Sequence, residues 1–201
     1  MNLAGVLYRK GDMAHTQRAM DEAMSLKLPI STSGAVSLDA ARIYAELGDA
    51  SAIKLLEKSI AIARKVTSWD HATIQADLGF CYIRGTRVFL DLGDTDNALE
   101  QIELADSVVS NKFMRRRCVI QALQANIYIA KGMYHDALVY AESALALARD
   151  LGASENLIKG QILNLAHLLQ ASPFGTSREV KLFAGKVNLF IGNKSIKPAS
   201  C

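Results

Sequence analysis

Three basic or amide side chains stand two residues before an aromatic at matching points of the chain: Arg42, Arg87 and Asn126. Two residues after the same aromatics stand Glu46, Asp91 and Ala130. A guanidinium fork holds a carboxylate through paired hydrogen bonds. A carboxamide pairs at once with a peptide N–H and a peptide C=O. Set in register along successive helices, these residues form a polar track that suits an extended peptide. The simpler reading is local: Arg42–Glu46 and Arg87–Asp91 are i,i+4 pairs, and such pairs are worth little on an exposed helix.

A second charged group is denser. Lys112, Arg115, Arg116 and Arg117 form a basic contact patch for phosphate or an acidic partner, or else a solvated helix face. Positive charge there opposes the dipole at a helix start. His15, His71, His135 and His167 stand apart, without metal-ligand spacing. Asp94 and Asp96 echo the start of a calcium loop, but Ala98 and the missing glycine break it. "GNKS" at 192–195 lacks the earlier glycine and the strand of a phosphate loop. No Ser or Cys has a nucleophile-elbow setting. The expectation is no catalytic residue, no metal and no cofactor. Trp69 reads as packing at a joint between helices.

The elements that position these groups follow from composition. The chain has 201 residues, 50% of them apolar, with 29 Ala and 25 Leu against 3 Pro and 6% aromatic. Such a chain is globular and runs helix after helix. The net charge of +3 is uneven: residues 173–201 carry five basic residues and one acid, so residues 1–172 sum to −1. That body lacks the basic balance of a nucleic-acid-binding domain. Cys81, Cys118 and Cys201 form neither a disulfide framework nor a metal pair, which points to a reducing, cytoplasmic setting. No apolar run approaches a membrane span, and Arg9, Lys10 and Asp12 interrupt any signal pattern.

The helices repeat. Gly11, Gly48, Gly93 and Gly132 each follow one apolar helical run and precede another. Seven residues before each lies Ala4, Ala41, Thr86 or Ala125; four before lies Leu7, Tyr44, Phe89 or Tyr128. Four or five after come Thr16, Ala52, Ala98 and Ala137; eleven or twelve after come Ala23, Ser59, Ala105 and Ala144. Small residues let two antiparallel helices approach, the large residue fills the gap, and the glycine turns the chain. The following acid (Asp12, Asp49, Asp94) suits the next helix start. One pair cannot bury both its faces, so pairs must stack.

This ladder resembles the tetratricopeptide repeat (TPR), most clearly in "ALQANIYIAKGMYHDALVYAESALALA" (122–148) and "GTRVFLDLGDTDNALEQIELA" (85–105). The resemblance implies an all-α, TPR-like right-handed superhelical solenoid of antiparallel helix pairs. The glycine spacings of 37, 45 and 39 exceed the usual ~34-residue unit, so helices are expected to lengthen, notably across 70–92. Predicted helices are 1–10, 13–27, 34–47, 50–66, 70–92, 95–110, 113–131, 134–151 and 155–171, with a last one from 177 to 190. Pro29 and the run Ser31 to Gly34 read as a break. The repeat domain is expected over 1–172, in units of 1–28, 34–66, 70–110 and 113–151 plus the 155–171 helix. A capping helix and basic tail follow over 173–201.

Long units of this kind, with "SPFGTSREVKLF" at 172–183, also resemble the C-terminal sensor halves of bacterial helix-turn-helix, peptide-responsive transcriptional regulators. That resemblance implies a peptide- or protein-binding module whose concave groove carries Arg42, Glu46, Arg87, Asp91 and Asn126, without a DNA-binding domain in this chain. The apolar start (Leu3, Val6, Leu7) suggests a missing preceding domain or a homodimer, and a structural assembly module is the alternative. No nucleic acid or membrane partner is expected.

Overall fold

The computed structural model describes residues 13–65, 77–152 and 156–192, the side chains of Met13, Asn156 and Leu157 aside. The expected helix 1–10 with its ladder positions Ala4, Leu7 and Gly11, and also Trp69, His71 and 193–201, lie outside them. The described residues form helices and turns only. In chain order the helices are α1 (Met13–Ser25), α2 (Ile30–Glu46), α3 (Ser51–Lys65), α4 (Leu78–Asp91), α5 (Thr95–Val108), α6 (Met114–Ala130), α7 (Tyr134–Asp150), α8 (Asn156–Ala171) and α9 (Arg178–Gly192). None is long and apolar enough to cross a membrane.

Each turn glycine does the same work. Gly48, Gly93 and Gly132 have φ of 72°, 78° and 73°, the left-handed region that an L side chain rarely enters. The residue after each glycine donates its N–H to the carbonyl of the aromatic position: Asp49 to Tyr44 at 2.9 Å, Asp94 to Phe89 at 2.8 Å and Met133 to Tyr128 at 2.8 Å. The glycine N–H bonds to Ala45, Leu90 or Ile129. This is a Schellman closure, and it holds the aromatic at a constant height above the turn. Asp49 then accepts from Ser51 N at 2.8 Å, and Asp94 accepts from Asn97 Nδ2 at 2.6 Å and from Asn97 N at 3.0 Å. These hydrogen bonds hold both carboxyls below the usual aspartate range.

The small positions sit where the helices meet. Ala41, Ala52, Thr86, Ala98, Ala105, Ala125, Ala137 and Ala144 are all fully buried. Ala23, by contrast, is only half-buried.

Two element boundaries differ from the sequence reading. The run Ser31 to Gly34 is not a break but the first turn and a half of α2. Pro29 stands at the helix entry with φ −52° and ψ 148°, and its carbonyl accepts from Ser33 N at 2.8 Å. Gly34 is buried against α3: a Cβ there would lie 2.9 Å from Ile62 Cγ2. It is therefore a close-approach glycine. The expected long helix 70–92 starts at Leu78 instead. Asp77 caps it in an extended conformation and accepts from Phe80 N at 2.9 Å. At 14 residues α4 is shorter than α2 at 17, and residues 70–76 of the expected helix lie outside the described residues.

The chain divides into two compact units, Met1–Val108 and Val109–Cys201. In the first, α2 pairs with α3 and α4 with α5, while α4 packs on both α2 and α3, and α1 on α2. Gly85 of α4 lies against Leu56 of α3 and Gln101 of α5, where a Cβ would meet them at 3.1 and 2.8 Å. In the second unit α6 pairs with α7 and α8 with α9; α8 packs on both α6 and α7, and α9 also meets α7. Its core joins Ala125, Ala137, Ala144, Leu145, Ile162, Leu165, Phe183 and Val187. Each fully buried large side chain there contributes about 1.5–3 kcal/mol. Tyr128 stacks on Tyr140, with ring centroids 5.2 Å apart and planes 6° apart, filling the gap between α6 and α7.

Candidate functional site

The C-terminal halves of α2 and α4 lie side by side in the first unit and bring four of the expected residues into one charged cluster. Arg42 and Glu46 are one turn apart on α2, with Nη1 and Oε1 at 3.8 Å, and retain 22% and 26% of their side-chain exposure. Arg87 and Asp91 occupy the matching turn of α4, with Arg87 half-buried. The repeat sets this match, because each pair is counted back from the same Schellman closure.

The electrostatics tie the two helices together. Asp91 is exposed as a residue, but protein crowded against one side of its carboxyl pushes that group above the usual aspartate range, and the negative charge of Glu46 adds to the effect. Arg87 and then Arg42 act in the opposite sense. Two carboxylates thus repel across the α2–α4 contact while two guanidinium groups hold them. Such a cluster presents both signs at short range. It can take the carboxylate of a ligand on its arginines and a cation or amide N–H on its acids.

Asn126 belongs to the second unit. It stands on α6, six residues before Gly132, as Arg42 and Arg87 stand before Gly48 and Gly93. Its Oδ1 is buried with no hydrogen-bond partner among the described residues. Gln124, two residues earlier and on another side of α6, is 9% exposed and accepts from Gln121 Nε2 at 3.0 Å. Gln161 on α8 likewise buries Oε1 without a partner among the described residues. The amides of Gln121, Gln124 and Gln161 escape the sequence reading. Polar residues in otherwise apolar helix positions were their only signal.

The basic run divides. Arg115, Arg116 and Arg117 are consecutive on α6, and successive helix residues turn by about 100°. They therefore spread around the helix instead of sharing a face. Arg115 and Lys112 are exposed, while Arg116 and Arg117 are half-buried. The Arg116 guanidinium lies 5.3 Å from the ring centroid of Phe113, the uncapped entry residue of α6.

The remaining candidates are structural. Cys81 Sγ lies 3.5 Å from Ser59 Oγ, and burial pushes its thiol pKa up. Cys118 donates to the Ala144 carbonyl at 3.3 Å. Both are core thiols, raised or occupied, not activated nucleophiles. His15, His135 and His167 are exposed on three different helices. Among the described residues no group of three or more His, Cys, Asp or Glu could hold a metal ion.

No protein-family model matches this sequence, and no curated protein matches it. A solved structure does. The crystal structure of a kinesin-light-chain-type protein of nearly identical TPR-like repeats from Podospora anserina superposes with a TM-score of 0.64 at 20% identity, covering 96% of this chain and 94% of that one. The likeness is one of fold, and the fold of this chain is all-α and TPR-like.

Proposed function

We propose that this chain is a protein-interaction module that holds an extended peptide segment against α2 and α4. The observation that carries the reading is the four-charge cluster of Arg42, Glu46, Arg87 and Asp91, built at one height on neighbouring helices, with Glu46, Arg87 and Arg42 all acting on Asp91. Arg42 and Arg87 take an acidic side chain or a chain-terminal carboxylate. Glu46 and Asp91 receive a basic side chain or backbone N–H groups next to it. Asn126, at the corresponding position of α6, offers a polar contact within the second unit taken by itself. Binding accounts for these groups without chemistry, and no catalytic role is assigned.

A finer reading makes the module the ligand-sensing half of a bacterial transcriptional regulator. Its support is the resemblance of the long repeats and of residues 172–183 to such proteins. Helix pairs that contact only their neighbours change groove curvature by small rotations, and a ligand that prefers one curvature shifts the population. The homodimer, and a cytoplasmic setting inferred from the number and spacing of the cysteines in the sequence, belong to the same proposal.

Selection from a random peptide-display library, followed by fluorescence anisotropy on the enriched peptides, tests it. The expected outcome is enrichment of peptides with an acidic residue or terminus, and a loss of about tenfold or more in affinity with Arg87→Ala, the range for a charge-assisted contact. An absence of enriched peptides, or wild-type affinity in Arg42→Ala and Arg87→Ala alike, overturns it.

A further inference from the structure

The last described helix, α9, is apolar on two opposite sides. At about 100° per residue, Val180, Phe183, Ala184, Val187 and Phe190 share one face, and all five are buried in the second unit. Leu182 and Leu189, seven residues apart, fall on nearly the same line of the opposite face. They are 55% and 69% exposed, among the most exposed large apolar side chains described. Between them Gly185 leaves a gap: a Cβ there would meet nothing within 4 Å. Arg178 continues the line toward the N-terminus, and Lys181 and Lys186 flank it. The leucines are about 10 Å apart along the axis, so the stripe is two turns long.

The charges around the stripe are mainly positive. Arg149 of α7 reaches α9 as well, donating to the Lys186 carbonyl at 3.3 Å. Lys186 itself bonds to Glu142 of α7 at 2.7 Å, and the only acid of α9 is Glu179. Setting Lys186 against Glu142 leaves Arg178, Lys181 and Arg149 against Glu179. Leu182 and Leu189 lie symmetrically about the Gly185–Lys186 step, so a second copy could meet them antiparallel. That pairing would set the same excess of cations against itself and bring two copies of Lys186 together. Like charges across an interface select against a partner, and opposite charges select for one.

We propose that the outer face of α9 docks an acidic amphipathic helix of a partner protein. The partner seats apolar side chains against Leu182 and Leu189 and across the Gly185 gap, and its acidic flanks face Arg178, Lys181 and Arg149. Helix-on-helix recognition of this kind reads anchors at i, i+3, i+4 and i+7. The contact is small, so the expected affinity is weak, on the order of 10–100 μM. This surface belongs to the second unit and the α2–α4 cluster to the first.

The probe is a labelled synthetic helix with leucines on one face and glutamates on the flanks, followed by anisotropy against the full chain. The expected result is saturable binding that weakens with salt. Binding falls about tenfold or more in Leu182→Gln/Leu189→Gln. In Arg178→Glu/Lys181→Glu preference turns toward the lysine-flanked counterpart helix. Arg87→Ala leaves binding of this probe unchanged, which keeps the result distinct from the groove. Both leucines are solvent-exposed, so far-UV circular dichroism and the melting curve of the double variant stay as in wild type. Equal affinity for the glutamate and lysine helices, or indifference to the double leucine variant, overturns the proposal. So does a concentration-dependent dimer abolished by that variant, which would make a second copy the occupant.

Discussion

Replacing Gly34 by alanine sets two known effects against each other. An alanine in a helix interior is favoured over glycine by about 1 kcal/mol. In α2, however, the new Cβ would stand 2.9 Å from Ile62 Cγ2 and 3.4 Å from Ile62 Cβ. Carbon atoms rest at about 3.5–4.0 Å, so α2 and α3 must part or Ile62 must turn. Overpacking of this kind costs roughly 1–3 kcal/mol. Ile62 is half-buried and has room to give on its solvent side, which favours the lower part of that range. The expected net effect lies between about 0 and 2 kcal/mol of destabilisation. Gly160 is the matched control. It is the fifth residue of α8 as Gly34 is of α2, it is exposed, and a Cβ there would meet nothing within 4 Å. Gly160→Ala should stabilise by about 1 kcal/mol. Urea unfolding followed by far-UV circular dichroism reads both variants. Amide exchange within α2 and α8 keeps the two units separate, since repeat chains need not unfold all at once. Ile62→Ala removes the overlapping carbon, so Gly34→Ala on that background should recover most of the helix gain, a coupling of about 1–3 kcal/mol. If Gly34→Ala stabilises as much as Gly160→Ala, or if the double variant is additive, the close approach of α2 and α3 is wrong.

Two further outcomes probe the site and a helix start. Carbon-detected titration of the Asp91 carboxyl should find its pKa above the ordinary aspartate range; Glu46→Gln should lower it and Arg87→Ala should raise it further, following the causes of the shift. A raised folded-state pKa means that this group's contribution to stability is fully present below the ordinary value and is lost as pH rises through the raised one, so Asp91→Asn should flatten that part of the stability–pH curve. Asp77→Ala should cost about 1 kcal/mol and free the Phe80 amide to exchange, because it removes the side-chain cap at the start of α4; an unchanged Phe80 amide would refute the cap.

Much of the repeat was legible because its chemistry is local. A glycine that must take φ near 70° and an aromatic four residues before it belong to one Schellman closure, so their spacing is written in the chain. Arg42, Glu46, Arg87 and Asp91 were readable as candidates for the same reason, each lying within one turn of that closure. Gly34 was misread because a glycine that bends the chain and a glycine that admits a neighbouring helix look alike until the neighbour, Ile62, is in place. The 70–92 helix was read straight through Asp77 because a cap depends on the conformation of one residue, which the sequence does not display. The basic run 112–117 looked like one patch in sequence, but helical rotation separates its members and Phe113 engages Arg116.

The sequence by itself determined the helix type, the turns and the pairing of neighbouring helices, because hydrogen bonds within five residues and small-residue spacing are properties of a short stretch of chain. Only the tertiary structure decided which charges meet, that desolvation raises Asp91 with a glutamate 45 residues away adding to it, and that α9 buries one apolar face and leaves Leu182 and Leu189 on the other. Those outcomes depend on which helix lies beside which, and desolvation and Coulomb coupling arise only once the helices are packed.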